Sequence, residues 1–107
     1  METKLLSFWS PSVERCGYVN LNDEIFELPN THEDKRNGFE LAEIPPEAVA
    51  LWHTHPSGCP NLSIEDFHLF NSLPNLLHII VGIREVAYYF VDVDASLLRK
   101  ENNLVPS

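Results

Sequence analysis

Residues 48–66 have the sequence AVALWHTHPSGCPNLSIED, and the order of apolar, loop-forming and capping residues within them sets the expected fold. Residues 48–53 are a nearly continuous apolar run, which is typical of a buried strand. Residues 54–61 contain prolines and a glycine, so we expect a loop there. Ser63 has the character of a helix N-cap, and Glu65 and Asp66 place negative charge in the first turn. The segment therefore predicts a buried strand, a loop and a capped helix.

Within this helix, apolar residues recur at every third position, and we expect that stripe to face the core before Pro74 ends the helix. The stripe consists of Ile64, Phe67, Phe70 and Leu73.

Short strands are predicted on both sides of this segment. Their ranges are 16–21, 24–28, 39–44, 76–81 and 85–93. We expect a short helix or strand at residues 1–9 and a loop at residues 30–38. A final helical turn is expected in the tail from Asp94. We therefore expect an α+β or mixed α/β fold, with the helix on one face of a mostly antiparallel or mixed sheet.

Length, charge and cysteine content narrow the class of protein. The 107 residues predict a single domain, 1–107, and no segment is apolar for the length of a membrane span. The formal net charge of −9, without clustered Lys and Arg, argues against a nucleic-acid partner. Cys16 and Cys59 do not make a disulfide framework, so we expect reduced thiols and a cytoplasmic protein.

Two histidines and a carboxylate form a candidate metal site. In an extended backbone, side chains two residues apart point to the same face, so His53 and His55 can bind one ion. The helix presents Asp66 as a third ligand, and a tetrahedral zinc ion would keep its fourth position for water. A two-His-one-carboxylate iron site is the rival interpretation. A zinc deaminase is not supported, because its signature contains His-x-Glu and Pro-Cys-x-x-Cys. Here Cys59-Pro60 has the reverse order, and no second cysteine follows.

Each half of this pattern has an ordinary structural explanation. A His-x-His pair is often only structural, and Ser-x-x-Asp before an apolar run is usually a helix cap. The metal hypothesis depends on their conjunction within one strand, loop and helix.

The spacing of these residues resembles the signature of the JAMM, or MPN-plus, metallopeptidases. His53-Thr54-His55 is followed by seven residues, 56–62, and then by Ser63-Ile64-Glu65-Asp66. The resemblance implies that His53, His55 and Asp66 are zinc ligands and that Ser63 stabilises the tetrahedral oxyanion.

An upstream glutamate completes the resemblance. Glu14-Arg15-Cys16-Gly17 is similar to the family's Glu-x-Cys-Gly setting, which implies that Glu14 is the general base. Glu24, Glu27 and Glu43 are the alternatives within this sequence. Cys16 would then be a core residue beside the base.

The resemblance also implies a fold, an activity and a substrate class. The expected fold is a curved mixed β-sheet flanked by helices, of the cytidine-deaminase-like JAB/MPN type. The expected activity is zinc-dependent cleavage of a peptide or isopeptide bond, with either a ubiquitin-like protein or a cell-wall or phage precursor peptide as substrate. Residues 30–40 are similar to bacterial and phage members, including the metallopeptidase part of lambda-type tail assembly proteins, so a phage particle is a second possible location. A catalytically silent scaffold module is the alternative function, and the oligomeric state stays open.

Overall fold

Six strands form one mixed sheet in a computed structural model that describes residues 1–91 and 98–102. The helices are α1 (Glu2–Ser7) and α2 (Ile64–Ser72). The strands are β1 (Cys16–Val19), β2 (Ile25–Leu28), β3 (Ala50–Thr54), β4 (Leu77–Val81), β5 (Val86–Val91) and β6 (Leu98–Asn102). Their order in the sheet is β2-β1-β3-β4-β5-β6.

The parallel pairing of β3 with β4 is made possible by α2. Parallel neighbours need a crossover connection, and α2 supplies it, while the other four neighbouring pairs are antiparallel. A capping box begins α2 at the predicted residue. The Asp66 N–H donates to Ser63 Oγ at 3.1 Å, and the Ser63 N–H donates to Asp66 Oδ2 at 3.3 Å. The helix therefore starts with Asp66 facing back toward the end of β3.

The sheet has a helix on each face. Successive strand residues point to opposite sides, so Ile79 packs in one core cluster with Leu5 of α1, whereas Ile80 packs in another with Phe70 of α2. The predicted α+β class with a mixed sheet is confirmed. No helix within the described ranges is long and apolar enough to span a membrane.

The predicted apolar stripe of α2 is wrong at its N-terminal half. Phe70 is buried, but Ile64 is 74% exposed and Phe67 is 40% exposed. A stripe with a repeat of three residues winds around the helix, because the helical period is 3.6 residues. Its ends, Ile64 and Leu73, are nine residues apart and would therefore point to opposite sides. The buried face instead contains Asp66 and Phe70, which are four residues apart.

Residues 39–44 do not form the predicted strand. The backbone groups of Glu40 are bound within the preceding loop instead, where its N–H donates to Asn30 Oδ1 and its carbonyl accepts from Thr31, so they are not available for strand pairing. The helical turn predicted to begin at Asp94 falls on residues 94–97, which lie outside the described residues. The described residues that follow, 98–102, form β6.

Gly17 leaves room for the Trp52 indole on the α1 face. It lies opposite Trp52 in the β1–β3 pairing, and the indole N–H of Trp52 donates to the Phe26 carbonyl at 3.2 Å. Phe8 stacks on the same indole with ring centroids 4.7 Å apart. A Cβ at position 17 would overlap the Phe26 carbonyl oxygen and approach the Trp52 ring to 2.7 Å.

We predict that Gly17→Ala destabilises the fold by about 1–3 kcal/mol, the usual cost of overpacking, because backbone and a buried ring must move. The melting temperature should fall by several degrees. Gly38→Ala is the control, since the atoms nearest to its added Cβ belong to the His32 side chain, at 2.9 Å and beyond, and not to backbone. Equal melting temperatures for the wild type and Gly17→Ala would contradict this account of the core.

Candidate metal centre

His53, His55 and Asp66 lie together, as the sequence predicts. His53 Nε2 is 3.0 Å from Asp66 Oδ1, and His55 Nε2 is 3.0 Å from Asp66 Oδ2. The two Nε2 atoms are 3.1 Å apart. Ligand atoms on a tetrahedral zinc ion with bonds of 2.0–2.1 Å are separated by about 3.3 Å, so the triangle is close to the required size. We call these three residues the ligand triangle.

The end of β3 holds both histidines in an extended backbone. The His55 N–H donates to the Val81 carbonyl at 3.0 Å, which continues the parallel pairing past Thr54. The indole N–H of Trp9 donates to the His55 carbonyl at 2.7 Å. The backbone around His55 is therefore held from both β4 and the segment after α1.

The loop between the ligands sets the tautomer of His55. His55 Nδ1 lies 3.0 Å from the Cys59 carbonyl, and a carbonyl can only accept, so Nδ1 carries the proton. In the neutral form of the ring, Nε2 is therefore unprotonated and faces Asp66 and His53. The short contact between Nε2 and the Asp66 carboxylate is satisfied by a proton on the ring or by a cation, and two imidazoles with one carboxylate are a donor set that suits zinc.

The pKa values of the triangle are consistent with this arrangement. Burial raises the pKa of Asp66, but its hydrogen bonds and the charges of the two histidines outweigh burial and hold the value well below the ordinary range. Burial lowers the pKa of His53 in spite of Asp66. Burial also opposes protonation of His55, yet the hydrogen bond and charge of Asp66 raise its pKa. The triangle thus supplies an ionised carboxylate and a neutral buried imidazole at neutral pH.

Aromatic rings fix the plane of His53. Phe39 stacks on the imidazole with ring centroids 4.3 Å apart, and Phe70 meets it edge-on at 6.1 Å. His78 stacks on Phe70 with ring centroids 4.1 Å apart and is fully buried. Its Nε2–H donates to the Leu73 carbonyl at 2.9 Å, and Nδ1 has no hydrogen-bond partner among the described residues.

Sequence reasoning did not identify Trp9, Phe39 or His78 as parts of this site. The sequence pattern predicts Phe39 in a strand, and Trp9 and His78 lie outside the motif. A lone aromatic residue or histidine carries no spacing signal that could have revealed its role.

Glu14 lies beside the triangle in a cleft of about 620 Å³. The cleft is also lined by His55, Ser63 and Asp66, and by residues 36–39 of the loop after β2. Glu14 is only 8% exposed. Burial raises its pKa from 4.5 to about 7, while the charge of His55 opposes this shift and that of Asp66 adds to it. Such a carboxylate is suited to exchanging protons near neutral pH.

The other candidate bases are engaged or exposed elsewhere. Glu27 forms a bidentate ion pair with Arg15 at 2.6 and 2.7 Å. Glu24 accepts from Asn20 at the turn between β1 and β2, and Glu43 is exposed. Glu14 is the one of the four that lines the cleft.

Ser63 has a hydroxyl proton free for a second interaction. Its Oγ accepts the Asp66 N–H as a helix cap, which leaves the O–H available to donate within the cleft. Cys16 is not suited to act as a nucleophile, because burial raises the pKa of its thiol to about 12.

The comparisons with known proteins give information about the fold but not about the activity. No protein-family model matches the chain, and no curated protein matches it. The chain is similar to the solution structure of protein DSY2949 from Desulfitobacterium hafniense, a structural genomics target, with a TM-score of 0.62. The two chains are 20% identical, over 94% of this chain and 84% of that one. At this identity the likeness concerns the fold and carries no activity.

We predict that the purified chain binds roughly one zinc ion and that zinc raises its melting temperature, because the metal binds the folded triangle. His55→Ala should abolish both effects. His68→Ala is the matched control, since His68 is an exposed histidine on α2 outside the triangle. A melting temperature that does not respond to zinc would contradict the metal site.

We predict that Glu14→Gln stabilises the metal-free protein at pH 8 but not at pH 4. A carboxyl whose folded pKa is raised from 4.5 to about 7 binds more protons in the folded state, so wild-type stability falls as pH rises through that window. Replacing the carboxyl removes this loss, which we expect to be about 1–2 kcal/mol after solvent screening. Thermal melts across pH measure it, with Glu43→Gln as the exposed control. A difference that is independent of pH would contradict the burial of Glu14.

Proposed function

We propose that this protein is a zinc-dependent hydrolase of the JAMM, or MPN-plus, type that cleaves a peptide or isopeptide bond. The observation that carries the proposal is the cleft in which Glu14 and Ser63 adjoin the ligand triangle. A structural zinc site is normally closed by four protein ligands, whereas a catalytic one has three and an open position. The triangle is the one group of three possible metal ligands found within the described residues.

The topology supports the finer fold assignment, the cytidine-deaminase-like JAB/MPN type. The two histidines come from the end of β3, and the carboxylate comes from the first turn of the crossover helix α2. This strand–loop–helix order accounts for the motif spacing, because seven residues between His55 and Ser63 bring the chain from the strand to the helix cap.

The chemistry follows from the environment of each side chain. A bound zinc ion would supply a Lewis acid, which polarises the scissile carbonyl and acidifies a water molecule. Glu14, with its raised pKa, would accept the proton of the attacking water and pass it to the leaving amine. The Ser63 hydroxyl would donate to the oxygen that becomes negatively charged as the carbonyl carbon turns tetrahedral.

The substrate is a polypeptide in this proposal, since an amine leaving group suits a base that must return its proton. An overall charge of −9 favours a neutral or basic segment near the cleft. The C-terminal tail of a ubiquitin-like protein and a cell-wall or phage precursor peptide are the two classes to be tested.

We predict that Glu14→Gln retains zinc but loses turnover by a factor of about 10² to 10⁴, because the amide keeps the shape and cannot accept the proton. Asp66→Ala should lose zinc and turnover together. Zinc analysis and cleavage of ubiquitin-like fusions and cell-wall peptides measure both, and Glu43→Gln should behave as the wild type.

Full turnover in Glu14→Gln would assign the base to another residue. A zinc-loaded wild-type chain without turnover on either class would contradict the hydrolase proposal itself.

A further inference from the structure

Residues 30–40 form a closed loop over the backbone of Glu14, and we call this segment the clamp loop. The Thr31 N–H and hydroxyl both donate to the Glu40 carbonyl, at 2.9 and 3.0 Å, and join the two ends of the loop. Phe39 from the same loop stacks on His53 of the ligand triangle. The clamp loop therefore contacts the metal site as well as the segment that carries the proposed base.

Asn30 uses the full hydrogen-bonding capacity of its amide within this loop. Its Oδ1 accepts the His32 and Glu40 N–H groups at 3.0 and 3.1 Å. Its Nδ2 donates to the Gly38 and Glu14 carbonyls at 3.1 and 2.9 Å. Two donors and two acceptors are all that a side-chain amide offers, so no isosteric residue can replace it.

Both backbone polar groups of Glu14 are bound by the clamp loop. Its N–H donates to the Lys35 carbonyl at 2.6 Å, and its carbonyl accepts from Asn30. The next residue, Arg15, is tied to β3 by two hydrogen bonds with Thr54, at 2.8 and 2.9 Å. Glu14 is thus held between the clamp loop and the strand that carries His53 and His55.

We propose that Asn30 is a positioning residue for the general base, which it holds against the ligand triangle by anchoring the clamp loop to the Glu14 backbone. This inference rests on the proposed function. A displacement of about 1 Å in a reacting group can lower turnover about 10²-fold, so a fixed backbone at Glu14 has a direct catalytic consequence.

A double-mutant cycle separates positioning from general structural support. Asn30→Ala should lower kcat about 10- to 100-fold, with a smaller change in KM and with zinc content close to wild type, because the three metal ligands lie outside the clamp loop. In the Glu14→Gln background the same substitution should have almost no further effect, since the base is already lost. Additive losses in the two backgrounds would overturn the inference, as would full activity of Asn30→Ala.

Asn20→Ala is the matched control. Asn20 makes a similar local network, bonding Asn22 and Glu24, but lies at the turn beyond the other end of β1. Its loss should leave kcat unchanged in both backgrounds. A drop in kcat equal to that of Asn30→Ala would overturn the inference, because it would show that any asparagine network of the fold has this effect.

Two further measurements keep the test decisive if Asn30→Ala does not fold. Asn30→Ser retains a shorter donor and acceptor, and should lose less activity than the alanine variant. In the wild type, the Glu14 amide should exchange with solvent slowly, because it is held by Lys35. Rapid exchange of that amide would overturn the inference without any variant. An inactive wild-type chain would instead overturn the proposed function, and with it the catalytic role of Asn30.

Discussion

The carboxylate of Asp66 joins the two parts of the chain on which the site depends. Its two oxygens lie 3.0 Å from the imidazoles of His53 and His55, and one also accepts the N–H of Ser63. An unpaired buried carboxylate would be strongly unfavourable, so these contacts fix the first turn of α2 against the end of β3. The crossover from β3 to β4 and the cleft beside it follow from that connection.

Two carboxyl groups in one cleft have environments that move their pKa values in opposite directions. The histidines hold the pKa of Asp66 well below its ordinary range, whereas burial raises that of Glu14 to about 7. A permanently ionised carboxylate suits a metal ligand, and one that titrates near neutrality suits a proton carrier. Opposed pKa values of this kind indicate distinct roles for neighbouring carboxyl groups.

The motif-bearing segment was the most predictable part of the chain. Its apolar run predicts the strand at residues 50–54, and its capping residue Ser63 predicts the start of α2, and the structure has both. Outside this segment, a local turn signal also predicts the hairpin of β1 and β2. The strand predicted at Phe39 is wrong, and the role of Phe39 depends on contact with His53, fourteen residues later in the chain, which local sequence does not encode. The clamp loop was predictable as a loop, but the four bonds of Asn30 depend on a closed three-dimensional path that no local pattern encodes.

X-ray absorption at the zinc edge of the loaded protein tests the central claim most directly, because it identifies the ligand atoms. The account predicts two imidazole nitrogens, with the remaining ligands oxygen, at about 2.0–2.2 Å, and no sulfur. A sulfur ligand at about 2.3 Å would place zinc on Cys16 or Cys59 and would contradict the ligand triangle.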